Sequence, residues 1–143
     1  MKQTSFSAVF PIILSENQEE ILLHLRQNTG YNDGLWETVA SGHVDECESA
    51  KQAAVRECLE EIGIVVDVEA LDFIHLTHNG NYYHIYFLVK HYKGVPTIME
   101  PEKNAALKWF PLNDLPSDMV PIRKMALDAW RNGISYTECL SLD

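Results

Sequence analysis

Apolar and polar positions along the chain switch between the two-residue period of strands and the longer period of helices. Residues 5–14 and 20–26 read as strands around the polar turn Ser15 to Glu19, and Trp36 to Ala40 reads as another after a loop holding Asp33-Gly34. Ile64 to His78 supplies one or two more, and Lys108 to Phe110 a short one. Tyr82 to Lys90 reads as a continuous apolar run, the pattern of a central strand covered on both faces. Two segments take helical spacing. Residues 50–62 follow Ser49, which forms a capping-box pattern with Gln52, and they end at Gly63, where a left-handed residue would stop a helix. A second helix starts near Pro121 and ends at Gly133, with Ile122, Met125, Ala126, Ala129 and Trp130 on one face. Helices on two sides of a sheet make the chain α/β.

Around the first helix, at 100° per residue, Ala54, Val55, Cys58 and Ile62 form an apolar stripe, with Glu57, Glu60 and Glu61 on the neighbouring one. Those glutamates stand at i, i+3 and i+4, so their side chains leave one face together. At a separation of about 6 Å each pair repels by up to roughly 3 kcal/mol at an effective dielectric near 20. Such a face wants a divalent cation, and hard cations prefer oxygen ligands. Arg56 is the nearby counter-charge, able to hold a carboxylate in a bidentate grip.

Composition narrows the partners. One domain over residues 1–143 is expected, since no linker, repeat or low-complexity stretch divides the chain. A net charge of −10 and a pI near 4.9 argue against a nucleic-acid polymer, because phosphate backbones reward clustered Lys and Arg. A single small phosphate ligand remains compatible when a metal bridges the negative groups. Cys47, Cys58 and Cys139 are an odd number without a C-x-x-C pair, as expected of free thiols in a reducing compartment. The apolar run Ala8 to Leu14 is short and interrupted by Pro11, so no signal peptide is expected, and nothing reaches transmembrane length. The expectation is a cytoplasmic protein with no membrane partner; whether it forms a homodimer stays open.

Between Gly42 and Ile64 the chain reads GHVDECESAKQAAVRECLEEIGI. This resembles the Nudix box, G-x5-E-x7-R-E-U-x-E-E-x-G-U with U a bulky aliphatic, at Gly42, Glu48, Arg56, Glu57, Glu60, Glu61, Gly63 and Ile64. Seven fixed residues match by chance with a probability on the order of 10⁻⁹ per start site. Cys58 at the first U position is a mild departure, and Cys47 stands where a glycine commonly precedes the first glutamate. Beyond the box the likeness is looser, over the preceding strands and the stretches at 100–103 and 109–116. The resemblance implies the Nudix fold, an α/β/α sandwich around a mixed β-sheet.

It also implies roles. Glu57, Glu60 and Glu61 would hold magnesium, or manganese in its place, with the Gly42 carbonyl as a backbone ligand. Arg56 would orient a catalytic glutamate and Glu48 support the loop. Glu60 is the preferred base for the attacking water, although some relatives place the base outside the box. Certain relatives carry a further carboxylate just ahead of the tryptophan at 109, where this chain has Lys108; Glu100 and Glu102 are the substitutes to test. His43, after the box glycine, and Arg26, closing a strand beside the cleft, are candidate phosphate contacts. Trp36, Phe73, Tyr82, Tyr83 and Trp109 are available as base platforms, and none is assigned. His75 and His78 fall on opposite strand faces and read as structural.

The implied activity is divalent-metal-dependent hydrolysis of a pyrophosphate linkage in a nucleoside diphosphate derivative. A nucleoside triphosphate, oxidised or not, cleaved to monophosphate and pyrophosphate is the leading expectation. A dinucleotide or nucleotide-sugar pyrophosphatase is the alternative within the class. A nucleotide sensor without turnover and a structural protein with an acidic helix are the readings from other classes.

Overall fold

The computed structural model describes residues 1–139. Its strands are β1 (Phe6–Ile13), β2 (Glu20–Arg26), β3 (Trp36–Thr38), β4 (Gly42–His43), β5 (Leu71–Asn79), β6 (Tyr82–Val89), β7 (Asn104–Pro111) and β8 (Tyr136–Cys139). Its helices are α1 (Ala50–Ile62) and α2 (Pro121–Arg131). A five-stranded mixed sheet runs β4-β1-β6-β5-β8, and a three-stranded antiparallel sheet runs β3-β2-β7.

Strand β1 shows how sequence sets the layers. Its side chains alternate between faces, and both faces are apolar. Val9 and Ile13 join the cluster that receives Ala53, Ala54, Cys58 and Ile62 of α1. Ala8, Phe10 and Ile12 join the cluster that receives Ala126 and Leu127 of α2. The central sheet is therefore covered by one helix on each side. Side chains such as Ile12, Ile13 and Leu127, all at most 1 % exposed, each contribute roughly 1.5–3 kcal/mol of burial. Strand β6, paired parallel with β1 from Phe6↔Tyr82 to Ile13↔Val89 and antiparallel with β5, is central as its apolar run requires.

Helix α1 spans 50–62 as its capping signals require. The Gln52 amide donates to Ser49 Oγ at 3.1 Å and the Ser49 amide to Gln52 Oε1 at 2.9 Å, while Gly63 ends the helix at φ 69°.

Several expectations need correction. Strands β1 and β2 do not pair as neighbours: one bridge, Leu14↔Ile21, joins them before they part into different sheets. Of the stretch 64–78 only the part from Leu71 is strand; Val65 bridges Lys93, and Val68–Ala70 is one 3₁₀ turn. Strand β7 is longer than 108–110, and β3 stops at Thr38 because Ala40 turns the chain at φ 59°. Strands β4 and β8 carry too few residues to show a period. On α2 the stripe is rotated: Arg123 and Leu127 are buried with Ile122 and Ala126, while Met125 and Ala129 are only half-buried. Among the described residues no helix is long and apolar enough to cross a membrane.

Candidate active site

Arg56 is the hub of the box. Its Nε and Nη2 donate to the two oxygens of Glu48 at 2.8 and 3.0 Å, its Nη1 to Glu57 Oε1 at 2.8 Å and to Glu60 Oε2 at 3.3 Å, and its Nη2 also to the His43 carbonyl at 3.1 Å. Glu48 in turn accepts from the Asp45 amide at 3.0 Å, so the loop from β4 to α1 is tied to the helix through one guanidinium. The hydrogen bonds from Arg56 and from that amide hold the Glu48 carboxyl down to about 2.

Two of the three helix glutamates meet where water is scarce. Glu57 is 9 % exposed, and its carboxyl stands close to that of Glu61. Burial, followed by the negative charges of Glu57 and Glu100, pushes Glu61 up to about 8. Burial pushes Glu57 upward too, against the pull of Arg56. Glu60 is exposed and leans on Arg56; among the described residues no three acidic, histidine or cysteine side chains converge to a ready-made cation cage. The donors nonetheless suit a hard divalent cation. They are oxygens only, they crowd negative charge into a low dielectric, and the crowding is what a cation relieves.

Gly42 completes this corner. A Cβ at this position would stand 2.3 Å from Glu57 Oε1 and 2.4 Å from its carboxyl carbon. Gly42→Ala is therefore expected to expel the Glu57 carboxylate from its place beside Arg56. Activity should fall about 100-fold, with the melting temperature within a few degrees of the parent. A kinetic assay alongside a melt checks it, and near-parental turnover would show that the carboxylate is not needed there.

Two cavities flank the box. One, of about 330 Å³, is lined by His24, Arg26, Ser41, Glu61, Glu100 and Lys103 among others. Glu100 is thus beside Glu61, whereas Glu102 is exposed, lies outside this lining and contributes only its carbonyl to Asn28. The other, of about 420 Å³, is lined by Phe10, Arg26, Glu37, Ser41, Gly42, His43, Tyr82, His84 and Arg123 among others. Arg26 reaches both, its guanidinium held by the Tyr31 carbonyl at 2.8 Å and Thr29 Oγ1 at 3.1 Å. His43 stacks on Tyr82, centroids 5.7 Å apart.

Of the aromatic candidates only Tyr82 lines a flanking cavity; Trp36 packs edge-on against Phe110. His75 is structural. Its Nδ1 donates to the Ile134 carbonyl and its Nε2 accepts from Thr137 Oγ1, both at 2.9 Å. Lys108 lies over the Phe110 ring. Cys58 is fully buried, which pushes its thiol up to about 12, and the described structure contains no disulfide.

Sequence reasoning missed the buried trio Glu37, Arg123 and His84. Arg123 Nε and Nη2 donate to Glu37 at 2.8 and 3.1 Å, and Nη1 donates to Tyr86 Oη at 2.7 Å and His84 Nδ1 at 3.4 Å. Burial, then the Arg123 charge, lowers His84 from 6.5 to about 4. The unfolded chain thus takes up this proton near pH 6.5 while the folded one refuses it until about pH 4, so stability falls with pH across that window. Wild type should lose about 2 kcal/mol more than His84→Gln between pH 7.5 and 5, read from urea midpoints. Parallel losses would place the histidine in water.

Comparison with known proteins agrees with this geometry. The NUDIX domain family profile matches residues 5–130. A Bacillus subtilis (strain 168) protein with the provisional name 8-oxo-dGTP diphosphatase is 34 % identical over 125 residues, covering 87 % of this chain and 78 % of that one. The crystal structure of a MutT NUDIX hydrolase from Burkholderia pseudomallei superposes with a TM-score of 0.77 at 25 % identity, over 88 % of this chain and 98 % of the other. The Escherichia coli ORF135 protein superposes with a TM-score of 0.73 at 26 % identity over 91 % of each chain. A mixed sheet with a helix on each face, a capped helix carrying the full box, and a profile match over most of the sequence agree: the chain has the Nudix fold and belongs to the Nudix hydrolases, a family whose members generally need a divalent metal.

Proposed function

We propose that this chain hydrolyses a nucleoside triphosphate to the monophosphate and pyrophosphate, with magnesium, or manganese in its place, held by Glu57, Glu60, Glu61 and the Gly42 carbonyl. The observation that carries the reading is the buried Glu57–Glu61 pair, crowded with Glu100 nearby and steadied by Arg56 at the edge of two cavities. The name of the Bacillus subtilis relative supports a triphosphate, including an oxidised one, over a dinucleotide or a nucleotide sugar. A bound divalent cation supplies charge neutralisation on the phosphates and acidifies a coordinated water.

The chain's own residues do the rest. Arg56 is a positioning residue: by holding Glu48, Glu57, Glu60 and the His43 carbonyl it fixes the loop against the helix. Glu60, the most exposed of the three, takes the proton as the water oxygen bonds to phosphorus and the P–O bond bridging the monophosphate and pyrophosphate portions breaks, the leaving portion keeping the bridging oxygen. Arg26 and His43, at the cavity rims, face the substrate phosphates, and Glu100 adds negative charge beside Glu61 for further cation binding. Three unpaired thiols support a cytoplasmic setting.

The test is a product screen over deoxynucleoside triphosphates, dinucleotides and sugar nucleotides in oxygen-18 water with magnesium. Monophosphate plus pyrophosphate, with label in one of the two, is the expected result. Release of orthophosphate, or turnover confined to the other two classes, would overturn the triphosphate assignment.

A further inference from the structure

The cavity beyond Gly42 and His43 has a polar floor whose hydrogen-bonding sense is fixed by residues far from the box. Its volume of about 420 Å³ suits a small ligand, and its walls include Ala8, Phe10, Tyr82 and Ile122. Exposed His43 and half-buried Arg26 mark its mouth, while Glu37 and Arg123, 3 % and 5 % exposed, lie at its depth. The mouth is therefore the end nearest the phosphates.

A guanidinium has donors and no acceptor. The Arg123 Nη1 to His84 Nδ1 contact at 3.4 Å therefore makes Nδ1 the acceptor, and the proton of the neutral imidazole sits on Nε2. The ring, flanked by Phe10 at 4.9 Å and Tyr82 at 6.2 Å between centroids, has only that N–H left to offer the cavity. Glu37, 3 % exposed, turns most of its acceptor capacity inward, with Arg123 on both oxygens and the Thr38 amide on Oε1 at 2.8 Å. At His84 the floor thus donates. A ligand carbonyl oxygen placed on His84 gains a hydrogen bond, whereas an amino group would set N–H against N–H.

We propose that this cavity takes the nucleobase and that His84, held as the Nε2–H tautomer by Arg123, selects bases carrying a carbonyl where adenine and cytosine carry an amino group. The inference rests on the nucleotide-hydrolysing reading and adds a specificity determinant to it. 6-Oxopurines and 4-oxopyrimidines are the accepted class, and discrimination within each ring size should be at least about tenfold, the scale of one buried donor left unpaired.

Three measurements on the whole chain test it. Nitrogen-15 spectra of histidine-labelled protein should show His84 protonated at Nε2. Calorimetry should show dGMP binding tighter than dAMP and dUMP tighter than dCMP, and kcat/KM for the matching triphosphates should follow the same order. In His84→Leu both preferences should collapse toward equality with the fold retained. A Nδ1–H tautomer, equal affinities in wild type, or preferences unchanged in His84→Leu would each overturn the proposal. Hydrolysis of all four triphosphates at equal efficiency would sink this inference alone; failure to bind any nucleotide would sink the functional reading and this one with it.

Discussion

Glu57→Gln is expected to lower kcat/KM by about 10²–10³-fold or more while leaving the metal-free protein as stable as the parent. Glutamine keeps the shape and still offers Oε1 to Arg56, whose Nη1 donates to that atom at 2.8 Å. What it removes is one negative charge from a corner where burial already disfavours charge and where Glu61 and Glu60 add their own. The metal-free fold therefore sheds burial cost and repulsion that outweigh the lost Arg56 attraction, and the Glu61 carboxyl should settle back toward its ordinary range. Cation affinity moves the other way, because fewer negative oxygens face the ion. Magnesium titration by calorimetry, steady-state kinetics and a melt in chelator together read all three effects. A variant with parental kinetics would remove Glu57 from the chemistry. One that melts far below the parent would make its role structural.

The features visible in the sequence were those whose cause is local. Ser49, Gln52 and Gly63 act within a few residues of one another, so both ends of α1 follow from side-chain chemistry alone. The grouping of Glu57, Glu60 and Glu61 follows from helical geometry, and the two-faced burial of β1 from the two-residue period. What escaped depends on partners far along the chain. Nothing near Ser15 to Glu19 reveals that β1 prefers the side of β6, with Phe6 opposite Tyr82, to that of β2. Glu100 and Glu102 are indistinguishable as letters; only the turn ahead of β7 brings the first beside Glu61 and leaves the second in water. Arg123 was not singled out in the sequence, although it lies on the α2 stripe with Ile122, Ala126 and Leu127. His84 likewise interrupts an otherwise apolar strand. A charge on an apolar stripe and a histidine in a buried strand are the two signals that could have revealed the buried cluster of Glu37, Arg123 and His84.

The ion pair of Glu37 and Arg123 gives the largest stability effect predicted here for a single substitution. Glu37→Gln should cost about 3–5 kcal/mol, because it leaves Arg123, 5 % exposed, with its charge buried and uncompensated. The remaining contacts do not replace the carboxylate. Tyr86 Oη at 2.7 Å is a neutral acceptor, and the Phe10 face, 3.7 Å from the guanidinium carbon, returns about 2 kcal/mol without neutralising the charge. Out of the roughly 5–15 kcal/mol available to a domain, this is about a fifth or more. Arg123→Met should be costly too, since it strands the glutamate, yet the double replacement Glu37→Gln with Arg123→Met should be less destabilised than the two singles summed. Urea unfolding of the four proteins gives the coupling directly. Additive losses, or a loss below about 1 kcal/mol for Glu37→Gln, would mean that water reaches the pair. Where the coupling is large, its meaning is functional as well as structural. Arg123 fixes the histidine tautomer at the cavity floor only while Glu37 holds it in place, so a charge pair on β3 and α2 sets what the cavity beside the box accepts.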